Sequence, residues 1–210
     1  MASQIERFGP TRRGGPVFRW LGEPLAIDLA NTVMVVREGQ SVDLLATPED
    51  LERWFEAERS RLGECLFAVA HLKEVHALRD AVRILLLASA QGAAAPAGAL
   101  HSVNAAGRGA PVTPQLEAAQ DGGLRMVESP RDGEALAQLL GKLARSAISL
   151  LSAPDREPLH VCKAPSCGML FLGARRWCCA ACGNRARAAR HYRLKAQRAH
   201  QQAAHRLGSS

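Results

Sequence analysis

Apolar positions divide this chain into one uninterrupted apolar run, several helical patterns and a short hairpin. The run comes first. LAIDLANTVMVV, from Leu25, is apolar on every side, with Asp28, Asn31 and Thr32 set into it. Periodicity alone fits either a buried helix or a buried strand there. Residues 37–46 read as a loop. Thr47-Pro48-Glu49-Asp50 then predicts a helix start, with threonine as N-cap, proline at the first helical position and acids in the first turn. LERWFEAE continues it as a short helix with Leu51, Trp54 and Phe55 on one face. The longest helical pattern runs from Glu64 to Gln91, carrying Leu66, Val69, Leu72, Leu78, Val82, Leu85 and Leu86 near helical spacing, and Gly92 stops it. Within it Cys65 reads as a small buried hydrophobe, and His71 and His76 as ordinary helix residues. Residues 92–114, rich in Ala, Gly and Pro, read as a linker in which AGALHSVNAA can form a short helix. Gln115–Ala119 and Leu124–Glu128 flank Asp121-Gly122-Gly123 and predict a hairpin. Asp132 is placed to cap a helix from Gly133 to Leu151, whose apolar face holds Leu136, Leu139, Leu140, Leu143, Ala147 and Leu150. Ala153-Pro154-Asp155 ends that helix and marks a boundary.

At 210 residues and 47% hydrophobic content the chain is large enough for one core plus a small module. No apolar run approaches the length of a membrane span, and no apolar signal core follows Arg12 and Arg13. The expectation is therefore a cytoplasmic protein without a membrane partner. In a reducing compartment, clustered cysteines favour metal over disulfides. Charge changes the picture more. Glu157 is the last acidic residue, and ten of the 27 lysines and arginines follow it. Residues 1–157 thus hold 17 basic against 20 acidic side chains, a net of −3, and residues 158–210 a net of +10. That asymmetry points to a polyanionic partner for the C-terminal part.

Five of the six cysteines lie between His160 and Arg193. Cys162 and Cys167 make one candidate turn and Cys178 and Cys182 another, the pairing that tetrahedral zinc takes from thiolates. Cys178 and Cys179 compete for the third position: in one register Cys178 binds and Cys179 caps the helix that begins at Ala180, and in the other Cys179 and Cys182 form the pair. GMLFLGARRW between the turns reads as a hairpin turning at Gly173. Knuckle, hairpin and helix in that order resemble a treble-clef zinc finger.

RRWC followed by CGNR, with a C-x4-C upstream, resembles the CGNR zinc finger family, matching at Arg176, Trp177, Cys178, Cys182, Gly183, Asn184 and Arg185. Members of that family carry an N-terminal ABATE domain and are described as stress-related bacterial transcription regulators. LAIDLANT resembles the start of such a domain, which favours a helix there. The resemblance implies Cys162, Cys167, Cys178 and Cys182 as zinc ligands, because serine commonly stands where this chain has Cys179. It implies a mainly α protein: a flexible basic arm over 1–19, a helical ABATE-like domain with a small β-hairpin over 20–155, a finger ending in a basic helix over 156–203, and a tail over 204–210.

Projected at 100° per residue, the last helix gathers Ala188, Ala189, Tyr192, Ala196 and Ala199 on one stripe that is expected to pack. Arg187, Arg190, Arg193, Lys195 and Arg198 spread over the opposite arc, to which Arg175, Arg176 and Arg185 add. These eight are the candidate contacts to double-stranded DNA, with Arg185 also placed to hold the zinc loop together. Trp177 is expected in the core of the finger. Asp28, Asn31 and Thr32 are the candidate lining of a pocket for an effector, a small molecule or a protein. The reading is a DNA-binding regulator, with an RNA-binding or protein-interaction zinc module as its alternative, as a monomer or a homodimer. No phosphate loop, nucleophile elbow or HExxH pattern is present, and four cysteines close a zinc site to substrate, so no enzymatic activity is expected.

Overall fold

The computed structural model describes residues 18, 22–37, 40–63, 71–119, 121–130 and 134–207. The apolar run at its start is neither one helix nor one strand. Leu25–Ala30 forms α1, with all six residues buried. The Thr32 hydroxyl donates to the Leu29 carbonyl at 2.7 Å and helps close that helix. The valine-rich remainder then extends as β1, Val33–Arg37, and pairs antiparallel with β2, Gln40–Asp43. The expected loop over 37–46 therefore holds a strand, because β1 supplies it with a hydrogen-bonding edge that local sequence does not reveal.

Helix α2, Pro48–Leu62, starts where the Thr-Pro-Glu-Asp signal places it and runs beyond LERWFEAE. Asp50 N–H donates to the Thr47 hydroxyl at 3.2 Å, and Thr47 N–H donates to the Asp50 carboxylate at 3.0 Å, a reciprocal capping box. Helix α3 is Leu72–Gln91; residues 64–70, with Cys65, lie outside the described residues. Its end is a Schellman motif: Gly92 adopts φ 65°, and Ala93 N–H reaches back to the Ala88 carbonyl at 2.9 Å.

The linker expected over 92–114 is instead mostly α4, Ala97–Gly109, with Ala99 and Val103 buried. Its composition reflects close packing. A Cβ on Gly107 would stand 3.3 Å from Ile148, and one on Gly141 would stand 2.4 Å from the Ala110 Cβ. Small side chains let α4 lie close to α5, Ala135–Ser152. The expected cap Asp132 and start Gly133 fall outside the described residues, and Glu134 occupies the N-cap position. Between the helices, β3, Val112–Ala118, and β4, Leu124–Pro130, form the expected hairpin in continuous register.

Helices α1, α3, α4 and α5 pack around one core with Trp54 of α2, and among its members Ile27, Leu29, Trp54, Leu86, Leu139 and Leu143 are inaccessible. Ala26 N–H donates to the Ser146 hydroxyl at 3.0 Å, tying α1 to α5. After α5 come β5, Leu159–Val161, its antiparallel partner β6, Leu170–Leu172, and α6, Ala180–Leu207. The expected hairpin inside GMLFLGARRW is thus replaced by one formed across the first cysteine knuckle. Gly173, at φ 97°, ends β6 and donates its N–H to the Pro158 carbonyl at 3.0 Å. A knuckle followed by a strand and a helix keeps the outline of a zinc finger, with the hairpin moved from after the knuckle to around it.

Strand β6 alternates, and that alternation joins the two halves of the molecule. Leu170, with Leu159 of β5, belongs to the core of the helical domain. Met169 and Phe171 belong to a second core made of the cysteines and Ala164. One strand therefore serves as the wall between two cores, and the boundary expected at 155–156 separates segments that share apolar packing.

Candidate metal centre and nucleic-acid interface

The first knuckle leaves β5 at Cys162 and returns to β6 through Gly168. Cys162 N–H donates to the Met169 carbonyl at 2.8 Å, and Gly168 N–H donates to the Cys162 carbonyl at 3.1 Å. Gly168 adopts φ 95°, and a Cβ there would meet Val35 of β1 at 2.8 Å. The second pair of cysteines sits where α6 begins. The sulfurs of Cys162, Cys167, Cys178 and Cys182 all lie within 4.8 Å of one another and all four residues are buried. Cys167 is 3.7 Å from Cys178, Cys178 is 3.4 Å from Cys182, and Cys182 is 3.6 Å from Cys167. Four sulfurs placed about 2.3 Å from a central zinc ion lie roughly 3.8 Å apart, so this cluster has the size of a tetrahedral zinc site. The separations are too long for disulfides, and the cysteines are free.

The buried sulfurs shift one another's titration. Cys167 is pushed down to about 5, chiefly by a hydrogen bond from Cys178, while the Cys178 thiol is driven up by that bond and by burial. Burial pushes Cys182 up to about 12. Without a metal the cluster keeps protons on some sulfurs, and metal binding displaces them. Arg185 donates to the Cys182 sulfur at 3.1 Å, so this motif arginine offsets thiolate charge. Gly183 leaves room for Trp177, whose ring would lie 3.2 Å from any Cβ there. Trp177 packs against the metal core, in the place expected for it. Cys179 stands outside the cluster, just ahead of the helix. Its thiol is lowered, burial being outweighed by hydrogen bonds from the Cys182 and Ala181 N–H groups.

The structure separates the eight candidate DNA contacts into four groups. Arg175 forms an ion pair with the buried Glu23 of the helical domain and covers the Phe171 ring at 5.1 Å. Arg185 faces the metal cluster. Arg176, Arg187, Arg190 and Arg193 line one groove of the finger, together with Lys163, which helix projection did not single out. Lys195 and Arg198 stand exposed farther along α6. The packing expected for the alanine stripe is not found at Ala188, Ala196 or Tyr192, which are exposed, Tyr192 to 70%, while Ala189 is half-buried.

Asp28, Asn31 and Thr32 are buried in internal contacts where a ligand pocket was expected. Arg61 donates to Asp28 at 2.6 Å and to Glu58. Burial, outweighing Arg61, pushes Asp28 up to about 7, and one of its oxygens is buried with no partner among the described residues. Asn31 grips β6 in both directions: its amide donates to the Leu170 carbonyl at 2.9 Å and its oxygen accepts the Leu170 N–H at 2.8 Å. Glu23 accepts the Leu172 N–H at 3.1 Å. Two side chains of the helical domain thus satisfy the open edge of β6, a contact invisible to sequence because the partners are 139 and 149 positions apart.

A helical domain fused through a shared strand to a four-cysteine finger with a basic helix defines a zinc-finger class of protein. The profile of the ABATE family, described as "Putative stress-induced transcription regulator", matches residues 23–154, and that of the CGNR zinc finger matches residues 159–195. The chain belongs to the ABATE family and carries a CGNR zinc finger. No curated protein matches it in sequence. Neither matched family is an enzyme family. Among the described residues no helix is long and apolar enough to cross a membrane.

Proposed function

We propose that this protein is a zinc-dependent transcription regulator that binds double-stranded DNA through its finger. Cys162, Cys167, Cys178 and Cys182 hold the zinc, which is structural because cysteine fills all four positions. The metal ties the knuckle to the start of α6, a link that so small a segment needs in order to hold its shape. The observation that carries the DNA reading is α6 itself: a metal-anchored helix of 28 residues, exposed along its outer part and without a single acid. Arg187, Arg190, Arg193, Lys195 and Arg198 present charge there for phosphates, with Arg176 beside them. Arg175 and Arg185 are assigned instead to holding the finger in place. A cytoplasmic protein with reduced cysteines suits this reading. The effector side is the helical domain, and Asn31, Glu23 and Val35 link that domain to β6 and the knuckle.

Fluorescence anisotropy of a labelled duplex, titrated with zinc-loaded protein across a salt series, tests the proposal. Binding whose log affinity falls steeply with log salt is expected. An absence of binding at low salt overturns it, and tighter binding of single-stranded RNA than of duplex reassigns the partner.

A further inference from the structure

The finger's cations do not all lie along the outer helix. Lys163 of the knuckle, Arg176 and Trp177 line one groove of about 620 Å³ together with Arg187, Arg190 and Arg193 of α6. We propose that this groove holds the phosphodiester backbone of one strand of duplex DNA, while Lys195 and Arg198 contact the duplex farther along α6. The proposal deepens the DNA-binding reading and rests on it.

Three observations lead there. Among the described residues none of the five cations has a carboxylate partner, and the sequence offers none after Glu157. In the helical domain, by contrast, the buried Arg79 pairs with Asp43 at 2.6 Å. Five like charges around one concavity repel one another, so an anion entering it relieves that cost. The second observation is order. Arg176 lies over the Trp177 ring at 5.2 Å and Arg187 is hydrogen-bonded to Asn184. Cation–π contact and hydrogen bond hold these two guanidinium groups in place before any ligand arrives. Arg187, Arg190 and Arg193 recur at three-residue steps, which sets neighbouring side chains along one edge of the helix. The third is construction. Lys163 is next to Cys162 and Trp177 is next to Cys178, so the groove lining draws on both halves of the cysteine cluster. A continuous basic trough of this kind suits a chain of phosphates better than one small anion, and phosphate contacts supply affinity without choosing sequence.

The test uses full-length zinc-loaded protein and mixed-sequence duplexes in a salt series. The double variant Lys163→Gln, Arg176→Gln removes the two groove cations that lie outside α6, and leaves α6 untouched. Lys195→Gln, Arg198→Gln is the comparison on the outer helix. Zinc content and circular dichroism check that both fold. The groove variant is expected to lose affinity about equally for unrelated sequences, and the slope of log affinity against log salt should become shallower by about two. Wild-type binding to duplex with an unchanged affinity and slope in the groove variant overturns the groove alone. Failure of the wild type to bind duplex overturns the DNA reading and the groove with it.

Discussion

Cys178 and Cys179 are joined by one peptide bond, yet only Cys178 turns its sulfur into the four-membered cluster. Cys179→Ser is therefore expected to keep one zinc per chain, since serine also serves as a helix cap. Cys178→Ser or Cys182→Ser should lose most of it, as metal analysis after dialysis against a chelator will report. The CGNR motif was legible residue by residue, because each letter acts locally. The cysteine joins the four-sulfur cluster, the glycine leaves space for Trp177, the asparagine bonds to Arg187 and the arginine brings charge to the sulfur. Asp28 was legible only as an oddity. Its carboxyl ionises at about 7 in the fold, against 3.8 ordinarily. Folding therefore favours its protonated form, and the stability this contributes is complete below about pH 4 and lost as pH rises through 7. Asp28→Asn escapes that loss. Relative to wild type, its melting temperature should rise between pH 5 and pH 8, and a parallel pH dependence in the two proteins would count against a raised carboxyl.

Helix α4 and strand β6 show what local pattern can hide at the level of elements. Alanine and glycine read as a linker, but here they are the small residues that allow helices to approach closely. The start of α2 was readable because a capping box is written within four residues, and Thr47→Ala should cost about 1 kcal/mol in denaturant unfolding. The β1–β2 pair and the true partner of β6 were not, since pairing depends on an edge contributed from elsewhere. Strand β6 carries the sharper expectation. Leu170→Ala removes a fully buried side chain from the helical core and should cost about 2–5 kcal/mol. Metal removal should also be felt in that core. Amide exchange in α1 is expected to quicken when zinc is chelated, and unchanged protection there would show that the two cores fold independently.

Across the whole molecule, the contrast between a helical part near neutrality and a strongly basic C-terminal part was plain from composition. Composition does not say which charges bind and which only hold the fold. Arg175 is drawn to Glu23, 152 positions away, and so becomes a joint between domain and finger. Glu23→Gln removes that ion pair while leaving α6 and the groove intact. It should leave the salt slope of DNA binding unchanged and raise proteolytic cleavage between residues 153 and 158, which limited digestion followed by mass spectrometry can read.

A finger whose strand β6 is also a wall of its neighbour is a poor cassette. Grafting residues 156–203 onto a foreign domain would leave Leu159 and Leu170 without a hydrophobic bed and the outer edge of β6 without Asn31 and Glu23. A transplant that works would have to carry those two side chains and α1 with it. The unit that can be exchanged between proteins of this kind is then the domain and finger together, so differences in what the finger binds should arise by substitution within it more readily than by swapping it.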